Sequence, residues 1–75
     1  MEELNLYIDY INTKDLYLIQ LYKINEEGEV LEYLERYTTH NIHSVVNKVK
    51  EIADRYPKVT IISEDIGFNV YYMSR

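Results

Sequence analysis

Apolar and polar residues alternate from Leu4 to Ile11, with Leu4, Leu6 and Ile8 on one side and Asn5, Tyr7 and Asp9 on the other. A period of two marks a strand that buries one face. The turn formers Asn12-Thr13-Lys14-Asp15 end it. Leu16 to Ile24 (LYLIQLYKI) is the most apolar stretch and predicts a central strand covered on much of both faces. Asn25-Glu26-Glu27-Gly28 supplies a tight turn in which Gly28 can take a positive φ. Two patterns compete over residues 29–39. Val30, Leu31, Leu34 and Tyr37 would line one side of a helix, yet the short connection behind them closes a hairpin. A returning strand is the expectation.

From Ile42 to Tyr56 the period changes. Ile42, Val45, Val46, Val49, Ile52, Ala53 and Tyr56 form one apolar stripe at helical spacing. Thr39 or Asn41 can cap its start, Glu51 and Arg55 form an i,i+4 pair, and Pro57 stops it. Lys58–Ser63 reads as a short strand, 64–67 as a turn, and Phe68–Met73 as a last strand. The order β-β-β-α-β-β predicts a two-layer α+β fold. It has a mixed sheet of about five strands with one helix on one face, and residues 1–75 form a single small domain.

That order leaves a face bare. A helix is about 10–12 Å wide with its side chains, whereas five strands about 4.8 Å apart span roughly 20 Å. Parity assigns Leu4, Leu6, Ile8, Tyr17, Ile19, Leu21, Val59, Ile61, Phe68 and Val70 to the helix side. The opposite side then carries Asn5, Tyr7, Asp9, Leu18, Gln20, Tyr22, Thr60, Ile62, Asn69, Tyr71 and Met73. This mixture is rich in Tyr, includes a Met and holds a single charge, as the centre of a protein interface does. Tyr7, Leu18, Tyr22, Ile62, Tyr71 and Met73 are the candidate interaction residues, facing a host protein or a second copy of the chain. The blander account is that Tyr and Thr simply suit strands.

Composition sharpens this picture. Nine Tyr and nine Ile against one Ala point to AT-rich coding, and with it to a phage or an archaeal virus as a source. No cysteine is present, which excludes disulfides and thiolate metal sites and makes an intracellular, cytoplasmic setting the default. No apolar run approaches the ~20 residues of a bilayer span, and the start MEELNLYIDY has no basic region, so neither membrane insertion nor secretion is expected.

The net charge of −5 is unevenly spread. Residues 1–39 hold nine acids and three bases (−6), and residues 40–75 hold four acids and five bases (+1). A negative chain repels a phosphate backbone, so nucleic acid is not an expected partner. Glu26, Glu27, Glu29, Glu32 and Glu35 form an acidic patch that could imitate DNA phosphates or, more simply, protect an edge strand.

Catalytic chemistry has one foothold. Asp9 lies near the end of the first strand, and Glu64 and Asp65 follow the fourth. Parallel pairing of those strands would bring the carboxylates together, where they could hold Mg²⁺. Leu6-Tyr7-Ile8-Asp9 in the first of three hairpin-linked strands, then a helix and Ile61-Ile62-Ser63-Glu64-Asp65-Ile66-Gly67-Phe68, resembles the first half of an RNase H-like nuclease domain, including that of phage terminase large subunits. The resemblance spans most of this chain and about half of that fold. It implies metal binding by Asp9 and Glu64. Tyr10 stands where a small residue often follows the first acid, and no third acid follows Gly67. His40 and His43 at the helix start lack further zinc ligands, and the two glycines cannot build a phosphate loop. The expectation is therefore a non-enzymatic, dimeric interaction protein, such as a viral inhibitor of a host protein, with no catalytic residue, metal or cofactor.

Overall fold

The structure is a computed structural model that describes residues 3–63. It is an α+β fold: β1 (Glu3–Ile11), a 3-10 turn (Asn12–Lys14), β2 (Leu16–Ile24), β3 (Val30–Thr39), α1 (Ile42–Arg55) and β4 (Thr60–Ser63). The strands make one mixed sheet in the order β3-β2-β1-β4. β1–β2 and β2–β3 are antiparallel, and β4 lies parallel to β1. Four of the about five expected strands are thus in place, and the expected strand at 68–73 lies outside the described residues.

Local chemistry sets each boundary. Asp15 leaves the 3-10 turn with φ of 50°, a left-handed geometry that Asp tolerates better than most residues. At the second hairpin Asn25 organises the turn: its Oδ1 accepts from the Glu27 and Glu29 amides at 3.0 and 2.9 Å. Gly28 takes φ of 84° there, a conformation that a Cβ would strain. The helix begins at Asn41, whose Oδ1 accepts from the His43 amide at 2.8 Å. It ends at Arg55, and the Tyr56 amide still donates to the Ile52 carbonyl at 2.9 Å before Pro57 turns the chain away. β4 starts at Thr60, two residues later than Lys58. Pro57 and Lys58 are used in a turn closed by the Val59 amide on the Tyr56 carbonyl.

The helix crosses from one edge of the sheet to the other, a route that parallel pairing of β4 with β1 requires. In crossing, it lies over the two central strands. Leu6 and Ile8 of β1, Ile19 and Leu21 of β2, and Val45, Val49 and Ile52 of α1 are all at most 1% exposed. Leu4, Tyr17, Leu34, Tyr37, Tyr56, Val59 and Ile61 pack around them. The strand parity expected for the helix side therefore holds wherever the residues are described.

β3 follows the strand expectation, with two irregularities. Register shifts fall between Leu21 and Tyr22 and between Lys23 and Ile24 of β2. Across the first shift Glu35 faces Leu21 while Tyr33 faces Tyr22, so Leu34 is the extra residue and packs against the core. No helix among the described residues is long and apolar enough to cross a membrane.

Burial ranks the side chains energetically. Leu6→Ala, at a fully enclosed position, should cost about 2–5 kcal/mol in urea denaturation. Leu31→Ala, at a residue 49% exposed, should stay within about 0.5 kcal/mol of the parent.

Candidate interaction surface

Cross-strand partners share a face, so the register maps the side away from the helix row by row. One row runs Thr38, Leu18, Asp9, and the next Arg36, Gln20, Tyr7, Ile62. A third runs Tyr33, Tyr22, Asn5, Thr60. Asp9 and Arg36 are the charges in these rows. The Tyr22 and Tyr33 rings meet at 5.7 Å between centroids with a 52° tilt, a favourable aromatic geometry. Tyr7, Leu18, Tyr22 and Ile62 are half-buried within the sheet surface, while Tyr33 is 62% exposed.

Four of the six residues expected on this face, Tyr7, Leu18, Tyr22 and Ile62, therefore lie together on it. Tyr71 and Met73 lie outside the described residues. Tyr33 and Arg36 join the face from β3. Sequence parity missed them because the bulge at Leu34 breaks the alternation that would have assigned them. Val30 and Leu31, 44% and 49% exposed, extend the apolar area along the same edge strand.

The acidic patch divides. Glu27 and Glu29 stand exposed at the β2–β3 turn beside Glu26, and Glu29 accepts from the Asn25 side-chain amide at 3.0 Å. Glu32 lies 3.9 Å from the Lys23 ammonium. Glu35 is on the helix side, where Arg55 reaches it at 2.7 Å and Lys48 at 3.7 Å. Glu51 joins the same cluster at 3.1 Å from Lys48 and 3.6 Å from Arg55. The bond to Glu35 is the largest cause that raises the Arg55 pKa above its ordinary value. Glu35 thus binds the helix to β3, and the five carboxylates do not form one continuous row.

Asp9 lies near the end of β1 on the open face, and its Oδ1 accepts from the Tyr10 amide at 2.8 Å. β4 is the parallel neighbour of β1, with Ile8 opposite Ser63; Glu64 and Asp65 lie outside the described residues. Among the described residues no three of His, Asp or Glu are placed to hold a metal ion. His40 donates its Nδ1–H to the Asp15 carbonyl at 2.7 Å. Compared with family models, curated proteins and solved structures, the chain gives no match.

Tyr10 has a defined electrostatic signature. Its hydroxyl donates to Asp15 Oδ1 at 2.6 Å, and this bond, followed by desolvation and the nearby negative charge, raises its pKa above 10.0. A raised folded value favours the neutral phenol. The contact's contribution is complete below the ordinary tyrosine pKa and is lost as pH rises through the folded one. Asp15→Asn keeps a residue that tolerates the left-handed backbone. It should lower the Tyr10 midpoint toward that of an ordinary tyrosine in an NMR-monitored alkaline titration.

Proposed function

We propose that this is a non-enzymatic interaction protein that engages a protein partner, a host protein or a second copy of itself, through the open face of its sheet. The observation that carries this reading is the one-sided cover among the described residues. α1 buries one side of the two central strands, while the other side presents Tyr7, Leu18, Tyr22, Tyr33 and Ile62 with few charges among them. Aromatic rings with low local charge are the usual centre of a protein interface. The face is self-complementary in character, so pairing two copies would bury the same residues on both. A viral inhibitor that captures a host protein in the cytoplasm is the same reading with a different partner.

A second reading rests on the parallel β1–β4 pair, whose last described partners Ile8 and Ser63 directly precede Asp9 and Glu64 in the sequence. Together with the likeness to the first half of an RNase H-like nuclease, this supports a metal-dependent relative of that domain. Asp9 is the one residue of the implied set that is described. Its carboxylate is engaged by its own neighbour's amide, and the described residues do not make up a metal site. No catalytic step is derived from them.

The two separate in solution. Tyr22→Glu with Tyr33→Glu should keep the far-UV spectrum of the parent, reduce any dimer mass measured by sedimentation to that of the monomer, and abolish capture of a partner. Unchanged mass together with unchanged capture overturns the leading reading. Titration with Mg²⁺ or Mn²⁺ should leave the Asp9 amide resonance in place, whereas a saturable shift would favour the nuclease relative.

A further inference from the structure

The central rows of the open face carry two charges of opposite sign that stand apart. Asp9 closes the row Thr38, Leu18, Asp9, and Arg36 begins the row Arg36, Gln20, Tyr7, Ile62. Two strand spacings and one two-residue step separate them, about 12 Å on the sheet. Arg36 is exposed and enters no ion pair among the described residues. Asp9 accepts from the Tyr10 amide on Oδ1 and likewise forms no ion pair among them. A guanidinium and a carboxylate so placed are two halves of a contact that the described residues do not close.

A two-fold axis closes it. Let two copies lie open face to open face, with the axis between them crossing the midpoint of the Asp9–Arg36 diagonal at a right angle. Asp9 of each copy then lies over Arg36 of the other, as an isologous contact requires. With strands about 4.8 Å apart and about 3.4 Å per residue, the same operation sets Tyr22 over Ile62 of the second copy. Tyr7 falls beside the axis, near its own equivalent. The strands of the two copies cross at roughly 70°, nearer to the orthogonal than to the aligned stacking of sheets. Other acids stay clear of the contact. Glu3, in a further row with Ile24 and Val30, projects past β4 of the second copy, as does the turn bearing Glu26, Glu27 and Glu29.

We propose that the partner of the open face is a second copy of this chain, held as a symmetric dimer by reciprocal Asp9–Arg36 pairs around Tyr7, Tyr22 and Ile62. This rests on the reading of the open face as an interaction surface and adds its occupant. The aromatic and aliphatic area supplies the affinity. The two ion pairs fix the axis, since a like charge at either position is repelled twice.

Charge reversal, read by sedimentation equilibrium of the full chain, tests this. The parent should be a dimer. Asp9→Lys and Arg36→Glu, each with the parent far-UV spectrum, should each weaken dimerisation at least about tenfold, because each sets like charges together at both contacts. An equimolar mixture of the two variants should form a heterodimer within about threefold of the parent affinity, since both contacts then join opposite charges. Recovery in the mixture also shows that neither substitution acts by unfolding the chain. A monomeric parent overturns the proposal, as does a dimer that the single reversals leave intact or that the mixture fails to restore. The open-face reading fails separately. It stands if Tyr22→Glu with Tyr33→Glu still dissociates the dimer or abolishes capture of a different protein, and falls if mass and capture are both unchanged.

Discussion

The packing of one amphipathic helix across two central strands is the constraint on which the rest of the molecule depends. Among the described residues, the enclosed side chains come from β1, β2 and α1: Leu6, Ile8, Ile19, Leu21, Val45, Val49 and Ile52. A fully buried aliphatic side chain contributes about 1.5–3 kcal/mol relative to an exposed one, so these few residues hold most of the apolar stabilisation among the described residues. The outer strands receive partial cover, from Leu34 and Tyr37 on β3 and from Ile61 on β4. Because there is a single helix among the described elements, the reverse side of the same strands gets no such layer from them. Fold and candidate surface are two aspects of one packing arrangement.

Much of this arrangement is legible in residue order. Period-two alternation in β1 and the helical stripe of α1 each name their element and its buried side; the apolar run of β2 names a central strand, but among the described residues only its helix-side Ile19 and Leu21 are enclosed, not both faces as expected. The competing patterns over 29–39 have a physical origin that the structure makes plain. Leu34 and Tyr37 are spaced as on a helix because a bulge inserts Leu34 into β3, so that both side chains reach the core from one strand. The same insertion hides Tyr33 and Arg36 from a parity count. Turn chemistry at Asn25 and Gly28 was decisive where periodicity was not. The Lys58 boundary is less legible, since Pro57 lets the chain turn once more before β4 begins. Of the open face, the β1, β2 and β4 members follow from alternation alone.

Charge has a different role at the other end of the cover. Glu35 faces Leu21 across the sheet, on the side under the helix, where an unpaired carboxylate would lose solvation. Arg55 and Lys48, about two helical turns apart, both reach it, and Lys48 also lies 5.2 Å from the centre of the Tyr37 ring. Individually such half-exposed contacts are worth little. Their value is directional: they fix which stretch of the helix stands over the edge strand. A residue that appears from the sequence to belong to an acidic surface run is used instead to align the two layers.

The connectivity has a temporal side as well. β1, β2 and β3 form a meander closed by short turns, whereas β4 finds its place beside β1 only after the chain has passed through α1. Its partners, such as Leu6 and Ile61, are separated by nearly the whole described chain. Distant pairing carries the larger loop-closure entropy. Of the described strand pairs, β1–β4 is therefore the last to close as the protein folds.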